Sequence, residues 1–254
     1  EKISLYSAFN DADEARFIVQ RIKVWHEAGN RLKSAAILYR SNAQSRILEE
    51  SLIQENIPYR IYGGLRFYER QEIKDAIAYL RLINNLDDNA AFERIVNVPT
   101  RGIGERTLVA LREHARTNAL SLWKATSELL SLDTLTARAK TAVLKFVELI
   151  ESLSGTVERK PLHEKIEAVI ANSGLIGHYN KENREKRITR IENLNELVNS
   201  ARQFIPDEDM PPLSSYLSHI ALEAGEHQST EHDDCVQLMT LHSAKGLEFP
   251  LVFI

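Results

Sequence analysis

The chain has 254 residues, 43% of them hydrophobic and 27% charged, with a formal net charge of −4, enough to bury a real core in one large domain or two smaller ones. No apolar run approaches the roughly 18 to 20 residues that cross a bilayer and no charged-then-apolar leader opens the sequence, so a cytoplasmic protein with no membrane partner is expected. The single cysteine, Cys235, cannot form an intrachain disulfide, and the eight histidines show neither an HExxH pattern nor zinc-type pairing with cysteine, which speaks against metal or redox chemistry on protein ligands.

Strand and helix alternate over the first sixty residues. Ile3 to Ala8 is a short β-prone run, and Asn10 or Asp11 can cap a helix that carries Ala15, Phe17, Ile18, Ile22 and Trp25 on one face. Ala35 to Tyr39 reads as a buried strand, followed by a helix over about 43–55 and a third strand over 59–62. Strands separated by helices of this length imply βαβ units and a parallel sheet. After Gly63-Gly64 helical spacing dominates to about residue 225, predicting helices over 71–84, 90–97, 105–117, 121–130, 137–153, 162–172, 187–203 and 213–223. Strand character returns over 236–241 and 250–254. The pattern predicts an α/β domain with a parallel sheet, residues 1–63 and 234–254, interrupted by a large all-helical inserted subdomain, residues 64–233. Since the last residues read as a buried strand whose backbone groups need partners, a boundary inside a longer protein is expected there.

A net negative charge argues against nucleic acid at first, but the electrostatic footprint of such binding is local. Basic residues gather at Arg94, Arg101, Arg106, Arg112 and Arg116, and again at Lys181, Arg184, Lys186, Arg187 and Arg190. Acidic residues gather at 207–209 and 231–234. Such runs are equally the solvated faces of helices.

Three segments carry chemistry. In Thr240-Leu-His-Ser-Ala-Lys-Gly-Leu-Glu-Phe249 a polar loop joins two apolar strands, which puts hydroxyl, imidazole, ammonium and carboxylate groups at the carboxyl edge of a parallel sheet, where open α/β folds bind ligands. Gly246 allows close approach or a positive φ, and Glu248 can accept hydrogen bonds from hydroxyls. A plain connector with a helix cap is the alternative. Leu38-Tyr-Arg-Ser-Asn-Ala-Gln-Ser-Arg46 leaves a strand and enters a helix, so Arg40, Ser41 and Asn42 lie either at a phosphate-holding helix start or in an ordinary capped turn. In Val98-Pro-Thr-Arg-Gly-Ile-Gly-Glu-Arg-Thr107 two glycines in an interhelical turn expose backbone N–H groups that can grip phosphate without reading sequence, unless it is a simple glycine-rich turn. Trp25 and Trp123 occupy apolar helix positions and are expected in the core, while His219 and His227 read as surface or capping residues.

These strings resemble superfamily 1 DNA helicases of the UvrD/Rep/PcrA branch over essentially the whole chain. The 240–249 loop is similar to the family's motif V, which implies that Glu248 reaches the ribose of ATP, that Lys245 and Gly246 lie near the nucleotide cleft, and that Thr240 and His242 face single-stranded DNA. The 38–46 string resembles motif IVa and implies single-strand contacts from Arg40 and Asn42. Gly63-Gly-Leu-Arg-Phe-Tyr-Glu-Arg-Gln-Glu-Ile-Lys-Asp75 is similar to the junction into the inserted subdomain, implying a hinge at Gly63 and Gly64 and DNA contact from Arg66, while Arg70, Glu72, Lys74 and Asp75 are expected to form structural pairs. The turn at 98–107 resembles a helix-hairpin-helix, implying duplex contacts from Thr100, Arg101, Gly102, Ile103, Gly104 and Arg106.

What the resemblance implies is a RecA-like partial domain with an inserted helical subdomain, drawn from an ATP- and Mg²⁺-dependent 3′→5′ DNA helicase of excision and mismatch repair, with DNA and repair proteins as partners. The sequence contains no GxxxxGK[ST] phosphate loop and no acidic strand end of Walker B type, so the chain alone is expected neither to hydrolyse ATP nor to unwind DNA, with no catalytic residue of its own. A docking and junction-binding module that regulates activity is one rival, and a replication helicase of the Rep or PcrA kind is the other.

Overall fold

The computed structural model describes residues 3–132, 134–225 and 233–254; His227 and, from the acidic run, Glu231 and His232 lie outside the described residues. The chain forms two compact units, one built from Glu1–Arg70 with Ile220–Ile254 and the other from Gln71–His219.

In the first unit, helix α1 (Asp11–Glu27) starts at Asn10, whose side chain accepts the Asp13 N–H at 2.9 Å, and Asp11, Asp13 and Glu14 complement the positive end of the helix dipole. Ala15, Ile18, Val19 and Ile22 recur at helical spacing and are buried. Strand β1 (Ala35–Tyr39) leads through a single 3₁₀ turn into α2 (Ser45–Gln54) and then β2 (Tyr59–Ile61). Strands β3 (Val236–Thr240) and β4 (Leu251–Phe253) come from the far end of the chain. The sheet order is β2-β3-β1-β4 and every pairing is parallel, with β1 against β3 from Ala36↔Gln237 to Tyr39↔Thr240. Strand β3 of the closing segment therefore lies between the two strands of the opening one, and β4 flanks β1 on the other side. The central strands are buried on both faces, Ala35, Ala36 and Ile37 in β1 and Val236, Leu238 and Met239 in β3, as a covered parallel sheet requires. An N–H of Lys33 donated to the Asp234 carboxylate at 2.9 Å fixes the start of this pairing.

The β-prone run Ile3 to Ala8 is not a strand. Tyr6 instead stacks on Phe17 of α1, ring centroids 3.7 Å apart, and its hydroxyl donates to Asp13, so the segment runs along the helix and pairs with no strand. Trp25 and Trp123 are half-buried and not core residues.

The second unit is helical throughout its regular elements: α3 (Gln71–Asn84), α4 (Asn89–Ile95), α5 (Glu105–Thr117), α6 (Leu122–Ser131), α7 (Ala137–Val157), α8 (Leu162–Asn172), α9 (Leu175–Tyr179), α10 (Arg184–Gln203) and most of α11 (Pro212–Gly225). The short α9, begun by Gly174 at φ +88°, was not anticipated, because five residues are too few to show a helical period. Helix α3 packs on α4, α7, α8 and α10 and buries Ile73, Ala76, Tyr79, Leu80 and Leu82. Phe92 meets Phe146 edge to face at 5.4 Å.

Buried charges in α3 are paired across the unit. Asp75, 2% exposed, accepts from Arg94 Nε at 2.8 Å and from the Tyr179 hydroxyl at 2.6 Å. Glu72 accepts from Arg190 at 2.7 Å and also from Asn193. Truncating one partner of such a pair strands the other in a low-dielectric interior. Asp75→Ala is expected to lower stability by about 3 kcal/mol in urea unfolding, and Tyr179→Phe by about 1 kcal/mol.

Candidate nucleic-acid interface

The register Tyr39↔Thr240 brings the two polar segments that leave β1 and β3 to one sheet edge, and the Leu241 N–H donates to the Tyr39 carbonyl at 2.9 Å just beyond it. After β1, Gln44 folds back so that its side-chain oxygen accepts the N–H groups of Arg40 at 3.1 Å and Ser41 at 2.9 Å. That bracket holds a tight turn with Arg40 exposed and Asn42 half-buried. After β3, the Thr240 hydroxyl lies 2.9 Å from that of Ser243 and accepts the Ser243 N–H, while the Thr240 carbonyl accepts from Ala244 at 3.1 Å. Gly246 sits at φ +87°, the left-handed region where a side chain is strained, and thereby lets the loop reverse. His242, Lys245 and Glu248 are exposed and Thr240 is half-buried. Cationic, imidazole, amide and hydroxyl groups thus share one edge, a donor set suited to a phosphodiester backbone.

Beneath the first turn lies a buried polar group made of Arg70, expected in a structural pair, and Glu49, which sequence reasoning did not single out. Arg70, 8% exposed, donates from Nη1 to the Asn42 carbonyl at 2.8 Å and from Nη2 to the Ser45 hydroxyl at 2.6 Å. Ser45 donates to Glu49 at 2.6 Å, and Glu49 also accepts the Phe67 N–H at 3.2 Å and the Tyr59 hydroxyl at 3.3 Å. Burial pushes the Glu49 carboxyl up to about 7 despite those donors and Arg70. The visible signal was a carboxylate one turn from Ser45 on the face of α2 that buries Leu48 and Leu52.

Arg66, expected on the DNA side, is 5% exposed. Its guanidinium donates to the Glu223 and Ala224 carbonyls at the end of α11 and pairs with Glu69 at 3.3 Å, as a cation at a helix carboxyl terminus should. Burial, and next the Glu50 charge, push the Glu223 carboxyl up to about 8. Of the four residues expected in structural pairs, Arg70, Glu72 and Asp75 are buried and paired, whereas Lys74 is exposed. Gly63 takes φ +70°, and a Cβ on Gly64 would meet the Ile61 side chain at 3.0 Å, so each glycine answers a separate steric need.

In the helical unit the turn before α5 has Gly102 at φ +81° and Gly104 at the N-cap, where no side chain caps the helix. Ile103, 1% exposed, anchors the turn from below, and Thr100, Gly102, Gly104 and Arg106 are exposed. Arg101 points the other way. Its guanidinium reaches the carbonyls of Ile95 at 2.8 Å, Pro99 at 3.2 Å and Ser173 at 3.3 Å, bonds the Tyr79 hydroxyl, and lies over the Phe146 ring. It braces the turn from inside. Several other members of the two basic clusters are neutralised by carboxylates: Arg94 by Asp75, Arg112 by Glu93 and Glu105, and Arg190 by Glu72 and Glu182. Arg106, Arg116, Lys181, Arg184 and Lys186 stay exposed.

The raised Glu49 carboxyl has a signed consequence. A carboxyl held above its ordinary 4.5 contributes stability that is complete below that value and lost as pH rises through about 7. Glu49→Gln keeps a neutral acceptor, so the variant should gain on the wild type across this window by about 3 kcal/mol. Thermal unfolding of both proteins at several pH values reads the difference, which includes the relief of Glu223 from the Glu49 charge.

Against known proteins, the family described as UvrD-like helicase C-terminal domain matches residues 1–254. The chain is 59% identical to DNA helicase II of Escherichia coli and 54% identical to DNA helicase II of Haemophilus influenzae, and 38% identical to the ATP-dependent DNA helicase PcrA of Staphylococcus aureus. Each match covers all of this chain but only 36%, 35% and 35% of the respective relative, so the chain spans about a third of their length. On this evidence the chain belongs to the family of UvrD-like helicase C-terminal domains.

Proposed function

We propose that the chain is the part of an ATP-dependent 3′→5′ DNA helicase of UvrD type, acting in excision and mismatch repair, that supplies DNA contacts and one wall of the nucleotide cleft. The observation that carries this reading is the parallel pairing of β1 with β3, which sets the Arg40–Asn42 turn beside the Thr240–His242 turn at one sheet edge. In this reading the first unit is a RecA-like half-motor and the helical unit is a subdomain inserted into it, with Gly63 and Gly64 as the hinge.

Single-stranded DNA runs along the shared edge. Arg40 meets phosphate as an exposed cation, and Asn42, Thr240 and His242 offer neutral polar partners. Arg66 sits behind this surface and secures the end of α11; to touch DNA its guanidinium would have to leave the Glu223 and Ala224 carbonyls. Toward the nucleotide, the exposed Lys245 and Glu248 flank Gly246, a combination fit to hold the phosphate and ribose portions of ATP. Bound ATP with Mg²⁺ supplies the free energy that drives stepping. The sequence contains no GxxxxGK[ST] phosphate loop and no acidic strand end of Walker B type, so in this reading the chain takes part in nucleotide binding without performing hydrolysis.

Duplex DNA is gripped by the 100–106 turn through backbone N–H groups at the uncapped start of α5, with Arg106 adding charge and Arg101 and Ile103 bracing from below.

Two measurements test these assignments. In fluorescence titrations, Arg40→Ala combined with His242→Ala should weaken binding of an oligothymidylate while leaving duplex binding intact. Gly104→Glu, at a position with open space around its Cα and no positive φ, should weaken duplex binding in a salt-sensitive way because a carboxylate then faces phosphate. Loss of neither would remove the DNA reading, and DNA-stimulated ATP hydrolysis by the isolated chain would contradict the assignment of its cleft as half a site.

A further inference from the structure

We propose that Arg70 is a positioning residue that ties the Arg40–Asn42 turn to the connector following Gly63-Gly64, so that the shape of the turn depends on where the connector lies. The inference rests on the single-strand reading of that turn given above.

The geometry is a closed polar circuit within the first unit. The guanidinium fork of Arg70 spans two segments: Nη1 and Nη2 hold the Asn42 carbonyl and the Ser45 hydroxyl, and Nε reaches back to the Leu65 carbonyl at 3.3 Å. Its charge also lies over the Phe67 ring, 5.3 Å from the centroid. The circuit closes through Glu49, which takes the Ser45 hydroxyl on one side and the Phe67 N–H on the other. The side chains of Arg70, Ser45, Glu49 and Phe67 are buried, and Asn42 and Leu65 take part only through their carbonyls, so the bonds among the buried groups form in a low-dielectric setting where they are strong and where leaving one unmade is costly. A displacement of residues 65–67 must therefore either carry Arg70 and the turn with it or break charge-assisted bonds. Lysine cannot replace the fork, since a single ammonium on a flexible stem does not present planar, divergent donors to three acceptors.

Arg70 touches the carbonyl of Asn42 and is itself buried, which separates positioning from direct contact in a salt titration. Each phosphate contact on a single strand contributes roughly 0.7 to the slope of log affinity against log salt. Arg70→Lys should weaken oligothymidylate binding about tenfold with an unaltered salt slope, whereas Arg40→Ala should lower both. In the absence of DNA, amide exchange at residues 43–45 should speed up about tenfold in Arg70→Lys, and also in Ser45→Ala, with the amides of β1 and β3 unchanged. Ser45→Ala removes one hydroxyl and retains the fork, so it serves should the lysine variant fail to fold. Unchanged exchange at 43–45 in the folded variants overturns the tie, as does a salt slope that falls in Arg70→Lys. Faster exchange in a chain whose wild type binds no oligothymidylate overturns the single-strand reading instead, and the two failures are thereby told apart.

Discussion

Parallel pairing between β1 and β3 is the constraint on which the rest of this protein depends. Parallel strands cannot be joined by a tight turn, and here the partners are separated by a long helical excursion: Lys33 and Asp234, which bond at the start of the pairing, are 201 residues apart in the chain. Loop-closure entropy grows only slowly with length, so an excursion of this size is tolerable once the buried faces of Ile37, Leu238 and Met239 supply the driving force. Because β3 enters between β2 and β1, both segments must be present for either to be buried. Their carboxyl ends emerge together as a result, and the proposed DNA edge is a consequence of strand register.

Buried and partly buried charge is used here to fasten loops. Arg70 and Glu49 hold the turn after β1, Arg66 closes the end of α11, and Arg101 holds the turn before α5 through the carbonyls around it. In each case the cation meets backbone carbonyls, acceptors that a helix end or turn leaves open. Arginine suits this task because one planar group satisfies several acceptors at fixed angles. The raised carboxyl of Glu49 is the electrostatic cost of the arrangement at the sheet.

Much of the architecture could be read from residue spacing. Helices α3, α5 and α8 and strand β1 fall where periodicity puts them, since each has an apolar stripe or run bounded by caps or glycines. Periodicity failed where tertiary contacts decide: Ile3 to Ala8 has strand composition, but stacking of Tyr6 on Phe17 draws the segment along α1. The site was legible in part. Gly102 and Gly246 were singled out for their backbone freedom, and both adopt positive φ. The aim of long cations was not legible. Arg66 and Arg101 stand in basic, glycine-containing strings that suggest a surface, yet the carbonyls that turn them inward come from residues up to 158 positions away and exist as acceptors only once the chain has folded. Glu49 escaped notice for the same reason, its partners being contributed by β2 and the connector.

If the two turns at the sheet edge form one track, a single strand must engage them together. Amide hydrogen exchange of the intact chain with and without an oligothymidylate tests this most directly. The account predicts simultaneous protection of residues 40–44 and 240–246 at the same DNA concentration, with the helical unit's amides unaffected. Protection confined to one of the two turns, or falling only on distant helices, would contradict it.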